Sequence, residues 1–115
     1  MSVNSEVLNT LRGVIPDVYP DFYEGNKKKY ITFNIEGSNA TDYADDTPQN
    51  EEVSLQIHIY VDEPPLKFKK AARKALFDAG FGYPVVDLIT YEKDTGLYHI
   101  ALSCSKIYEN DLKEE

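Results

Sequence analysis

A single cysteine among 115 residues rules out an intrachain disulfide, and nothing in the chain has paired Cys-x-x-Cys or Cys/His zinc spacing. That scarcity suits a reducing compartment, or assembly inside one. No apolar run approaches the roughly 18 residues of a membrane span. The first residues, Met1 to Glu6, have neither the basic nor the apolar region of a secretory signal, so neither export by a signal peptide nor membrane insertion is expected. There is no nucleophile elbow, metal-binding helix motif or Gly-rich phosphate loop. Basic residues are also outnumbered: a net charge of −8 argues against wrapping nucleic acid, whose affinity comes chiefly from Lys and Arg at phosphates.

What is present is 42% hydrophobic content, enough for one domain over residues 1–115 to bury roughly two thirds of its unfolded surface. The charges are segregated. Lys27, Lys28, Lys29, Lys67, Lys69, Lys70, Arg73 and Lys74 are eight of the twelve basic residues, whereas residues 36–52 hold six acids and no base. The molecule is therefore expected to be electrically polarised.

The apolar stripe of Val7, Leu8 and Leu11, stopped by Gly13 and Pro16, predicts a helix over about 4–12. Residues 18–24 are aromatic but contain Pro20, which cannot donate to a ladder, so a strand here belongs at an edge, with 25–29 as its turn. Residues 30–36 alternate, with Ile31, Phe33 and Ile35 on one face. Residues 37–50 are polar and acidic and read as a long, mobile loop. Residues 52–61 alternate again, with Val53, Leu55, Ile57, Ile59 and Val61 inward and Gln56, His58 and Tyr60 outward.

Pro64-Pro65 opens a second helix over about 65–79, buried through Phe68, Ala72, Ala75, Leu76 and Ala79 and ended by Gly80 as a left-handed C′ residue. Lys67, Lys69 and Lys70 sit in its N-terminal turns, against the macrodipole. A hairpin follows, closing through Asp94-Thr95-Gly96. Setting Lys93 opposite Leu97 places Leu88 against Leu102 and Val86 against Cys104 on the core side; it places Tyr91 against His99 and Asp87 against Ser103 on the other. The fold class is α+β, in the order α-β-β-β-α-β-β, with an antiparallel-rich sheet and two helices on one face.

Candidate chemistry is sparse. His58 and His99 share the polar sheet face, where Asp87 or Ser103 is within reach as an orienting group. Cys104 falls on the apolar face, where a cysteine behaves as a small hydrophobe. The run 42–46 gathers carboxylates but lacks the alternating ligands and glycine of a calcium loop. Tyr30, Tyr60 and Tyr91, outward by parity, give the sheet a face suited to protein contact.

The succession of the Tyr30-Ile31-Thr32-Phe33 strand, the acidic Tyr43-Ala44-Asp45-Asp46, the Leu55-to-Tyr60 strand, the helix ending Ala79-Gly80-Phe81 and above all the string Tyr91-Glu92-Lys93-Asp94-Thr95-Gly96-Leu97-Tyr98-His99 resembles one group of proteins. These are the tail-completion proteins of long-tailed bacteriophages and prophages, comprising tail terminators and tail-to-head joining proteins. The resemblance implies a non-enzymatic subunit without cofactor, assembled in the bacterial cytoplasm and carried in the virion at the head–tail junction. It implies a homo-oligomeric ring, commonly hexameric, that caps the tail-tube protein and meets the head connector while phage DNA passes through its lumen. Opposite charges nominate Asp42, Asp45, Asp46, Glu51 and Glu52 on one side and Lys67, Lys69, Lys70, Arg73 and Lys74 on the other as the subunit interface. A free-standing adaptor binding through the tyrosine face and a small enzyme using His58 and His99 are the alternative classes.

Overall fold

A computed structural model describes residues 3–44 and 47–109. The elements are α1 (Val3–Leu11), β1 (Val18–Pro20), β2 (Lys29–Ala44), β3 (Thr47–Val61), α2 (Leu66–Asp78), β4 (Val85–Glu92) and β5 (Leu97–Glu109). The strands form one sheet in the order β1-β2-β3-β5-β4, antiparallel throughout except for β1 on β2. This is the α+β order that the sequence patterns specify.

Period-two alternation puts Val53, Leu55, Ile57, Ile59 and Val61 of β3 on one face, and all five are buried. They join Ile31 and Phe33 of β2 and Ile100 and Leu102 of β5 against Val7 and Leu11 of α1 and Phe68, Ala72 and Leu76 of α2. Both helices therefore cover the same side of the sheet. α2 ends in a Schellman motif: Phe81 N–H reaches the Leu76 carbonyl at 3.0 Å and Gly80 N–H the Phe77 carbonyl at 3.0 Å. The geometry requires a left-handed residue, and Gly80 supplies it at φ 95°. Lys106 of β5 secures this corner by donating to the Ala79 carbonyl at 2.8 Å while pairing with Glu6 of α1.

Four expectations are corrected. Residues 37–50 are not a loop: 37–44 continue β2 and 47–50 begin β3, paired from Gly37↔Ser54 out to Ala44↔Thr47. Asp45 and Asp46 lie outside the described residues. The cross-strand ladder satisfies the backbone here while residues 35–40 stay solvent-exposed, so no hydrophobic alternation marks the strand. Even Ile35, on the inward parity, is 45% exposed, whereas Leu55 directly opposite it is fully buried; the pairing of β1 with β2 ends at Phe33, which leaves Ile35 on the outer edge of the sheet. Sixteen residues at about 3.3 Å each make β2 roughly 50 Å long, which matches a longest molecular dimension of 54 Å.

The second correction concerns the β4–β5 register. The loop spans four residues, 93–96, so Glu92 and not Lys93 pairs with Leu97, and Tyr91 stands opposite Tyr98. A bulge at Asp87 then shifts the strand again: Leu88 pairs with Ala101, and Val86 with Leu102 instead of Cys104. As a result Leu88 is 46% exposed and is not a core residue, and Tyr91 leaves the outward set for the side of Tyr98. Third, β1 runs parallel to β2, so 25–29 is no hairpin turn; residues 21–28 carry the chain back instead. Finally, α2 buries Phe68, Ala72 and Leu76 fully, but Ala75 and Ala79 only in part.

Candidate functional site

Two surfaces stand out, one on the helix-free face of the sheet and one on the outer side of α2. On the first, residues of even number in β2 and β3 meet residues of odd number in β5, so that Tyr30, Tyr60, His99 and Thr90 form one cross-strand row and Thr32, His58, Ala101 and Leu88 the next. Side chains in such rows are close enough to stack. Tyr30 and Tyr60 do so at 4.7 Å between ring centroids and an interplanar angle of 18°, and Tyr60 and His99 at 4.5 Å and 13°.

The stack is extended by Tyr23 and Tyr19, which sequence reasoning left unassigned. After β1 the chain reverses at Asp21, the described non-glycine residue with positive φ (69°), and Phe22 N–H closes the turn on the Pro20 carbonyl at 2.9 Å. This brings Tyr23 to 4.4 Å from Tyr30 and 4.6 Å from Tyr19. Gly25 permits it, since a Cβ there would lie 2.0 Å from the Tyr23 hydroxyl oxygen. A continuous ladder of rings, Tyr19–Tyr23–Tyr30–Tyr60–His99–His58, thus crosses four strands' worth of sheet.

At its end lies a polar chain. His58 Nδ1 is 2.8 Å from His99 Nε2, His58 Nε2 is 3.0 Å from Gln56 Oε1, and His99 Nδ1 is 3.5 Å from Glu92 Oε2. Burial lowers the pKa of both rings from 6.5; the neighbouring His99 lowers His58 further, while Glu92 works against the shift at His99 and Glu36 and Asp87 against that at His58. Burial likewise raises Tyr30 and Tyr60. The pairing of a histidine with Asp87 or Ser103 that parity leaves within reach does not form; Ser103 donates its hydroxyl hydrogen to Asp87. Glu92 takes the orienting position instead, a consequence of the one-residue change of register. Cys104 packs on the opposite side, opposite Leu55, with its thiol pushed up to about 11 by burial. Among the described residues no group of three or more His, Cys, Asp or Glu side chains is arranged to hold a metal ion.

The second surface is a groove of about 520 Å³ lined by Leu66, Lys69, Lys70, Arg73, Lys74, Phe77, Asp78 and Tyr83. Leu66, Phe77 and Tyr83 are each more than half exposed, an apolar floor that sequence reasoning did not identify. Arg73 is fixed by donating to the Pro84 carbonyl at 2.9 Å and lies 4.5 Å over the Tyr83 ring. Of the nominated basic residues, Lys69, Lys70, Arg73 and Lys74 meet in this groove. Lys67 turns to Glu63 at 2.7 Å, an acid that Lys29 also pairs with, and Lys74 reaches Asp78 at 2.8 Å. Of the acids, Glu51 accepts from Ser38 at 2.8 Å and Glu52 from Ser105 at 3.1 Å, both on the arm that residues 36–44 of β2 and 47–54 of β3 form; Asp42 is in β2. Glu51 and Glu52 are thus apart from the basic groove, and among the described residues no ion pair joins the two sets.

The fold is shared with a solved chain from a structure described as the virion of a native gene transfer agent (GTA) particle. The two are 15% identical, the alignment covers 95% of this chain and 96% of that one, and the TM-score is 0.57. No protein-family model and no curated protein matches the sequence.

Proposed function

We propose that the protein is a non-enzymatic structural subunit of a phage-type particle, forming a ring at the head-proximal end of the tail tube as a tail terminator or head–tail joining protein. The observation that carries the reading is the end-to-end likeness in fold to a chain of a gene transfer agent virion, which covers nearly all of both chains. The Asp94-Thr95-Gly96-Leu97-Tyr98-His99 hairpin and the element order support the finer assignment. So does the presence of two unlike charged surfaces, since closing a ring head to tail requires two different patches on each subunit. A net charge of −8 suits a lumen that DNA traverses without adhering.

The non-enzymatic reading is supported by the site chemistry. The facing nitrogens of His58 and His99 are engaged with each other, and the Cys104 thiol is far from a thiolate at neutral pH. Electron microscopy of the purified protein, with mass measurement in solution, tests the proposal. Closed rings of one size are expected; a monomer at every accessible concentration overturns the ring. The open aromatic ladder favours one second reading, a monomeric adaptor that binds a protein partner through that face, and a monomer in solution that loses partner binding on Tyr60→Ala is its distinguishing result.

A further inference from the structure

The α2 groove combines features that a helix folding only for its own subunit does not need. Its first turn has no acidic residue although it carries Lys67 and Lys69, so the cations oppose the helix dipole. Lys69 and Lys70 form no ion pair among the described residues, and they flank apolar side chains exposed by 62% at Leu66, 56% at Phe77 and 62% at Tyr83. The complementary chemistry is on the β2–β3 arm, where Glu36 and Glu51 accompany a Tyr43 that is 65% exposed.

An arm cannot fill the groove of its own subunit. Tyr83 at the groove's end shares a neighbouring hollow with Glu36 and Ser54. Tyr43 lies seven residues farther along β2, about 23 Å away at roughly 3.3 Å per residue. Tyr43 therefore overshoots its own groove and is available only to another molecule.

We infer that the groove along α2 receives the acidic arm of a second copy of this chain, with Tyr43 entering between Leu66, Phe77 and Tyr83 and the arm's carboxylates meeting Lys69 and Lys70. The inference rests on the ring-subunit reading above and supplies its subunit contact. Because arm and groove are different patches, the contact is head to tail and propagates from copy to copy.

Two variants of the full chain test it. A groove variant, Lys70→Glu with Phe77→Ser, keeps its arm; an arm variant, Tyr43→Ser with Glu51→Lys, keeps its groove. All four positions are at least partly exposed, and circular dichroism and thermal melts check that both variants fold. In low salt each variant alone should associate at least about tenfold more weakly than wild type, while a one-to-one mixture should give a heterodimer that grows no further. Assembly of either variant alone as well as wild type overturns the inference, as does a mixture that stays monomeric. If one variant fails to fold, Lys70→Glu combined with Glu51→Lys in a single chain replaces it: self-association should recover relative to Lys70→Glu alone, and no recovery counts against the pairing. Microscopy separates the two levels. Open filaments with the expected variant pattern keep the arm–groove contact and remove the ring; rings that form equally well from the groove variant do the reverse.

Discussion

His58 Nδ1 lies 2.8 Å from His99 Nε2, with the outer nitrogens of the pair directed at Gln56 and Glu92. A bond at this separation requires that one of the two facing nitrogens carry no proton, so the rings cannot both be imidazolium and keep it. The direction of titration agrees: burial holds both folded-state pKa values below the ordinary 6.5. Between the lowered value and 6.5 the unfolded chain binds more protons than the folded one, so stability rises with pH across that window. The contribution is complete above 6.5 and is lost as pH falls through the lowered values. Urea unfolding from about pH 7.5 down to about pH 5 should therefore show a declining midpoint, and His58→Gln with His99→Gln should flatten the decline. An unchanged slope in the double variant would show that these histidines are not the groups being titrated.

Leu102 is fully buried and Leu88, on the neighbouring strand, is 46% exposed. Leu102→Ala should destabilise by about 2–5 kcal/mol, as for truncation in a packed core. Leu88→Ala should cost about 0.5 kcal/mol or less, within the range of surface substitutions. Denaturant melts of the two variants check the register, because a one-residue slip in β4 would bury Leu88 and make the two losses alike.

The contrast explains which parts of the fold were legible in the sequence. β3 announces itself because one face is buried and the other is not, and α2 because its stripe ends at a glycine that the cap requires. Where neither condition holds, pattern fails. Residues 35–40 of β2 are exposed whichever face they point to, so this strand looks like a polar loop. The Asp87 bulge changes parity without any glycine or proline to signal it. Of the candidate surfaces, the basic side of the groove was readable from charge spacing on one helix. Its apolar floor was not, because Phe77 and Tyr83 meet only through the turn after Gly80, with rings 6.1 Å apart. The aromatic ladder was half legible: Tyr30 and Tyr60 follow from parity, but Tyr19 and Tyr23 depend on the reversal at Asp21.

That reversal makes Gly25 a sensitive position. A methyl group there would collide with the Tyr23 hydroxyl end, which also accepts from Lys27 N–H at 3.1 Å. Gly25→Ala should push the Tyr23 ring off Tyr19 and Tyr30, at a cost of about 0.5–1.5 kcal/mol for the lost stacking. Tyr23→Ala should cost at least as much, and Gly25→Ala added to it should then have little further effect. Thermal melts of the three proteins decide the matter, since additive losses would mean that Gly25 matters for some reason other than room for the ring.

Lys106 is the remaining test of how the layers are held together. Its ammonium pairs with Glu6 of α1, donates to the Ala79 carbonyl at 2.8 Å and lies 5.3 Å from the centre of the Phe81 ring, so one side chain ties β5 to both helices. Its side chain and that of Glu6 are each less than a quarter exposed. Removing only the cation leaves a carboxylate and a carbonyl short of a partner in a partly desolvated place, which costs more than the pair itself contributes. Lys106→Met, which keeps the packing of the stem, should therefore destabilise by about 2–4 kcal/mol. Adding Glu6→Gln should recover part of the loss by removing the stranded charge. Denaturant unfolding of the single and double variants gives the answer: a loss under about 0.5 kcal/mol for Lys106→Met would show that water replaces the ammonium and that the helices are held by apolar packing alone.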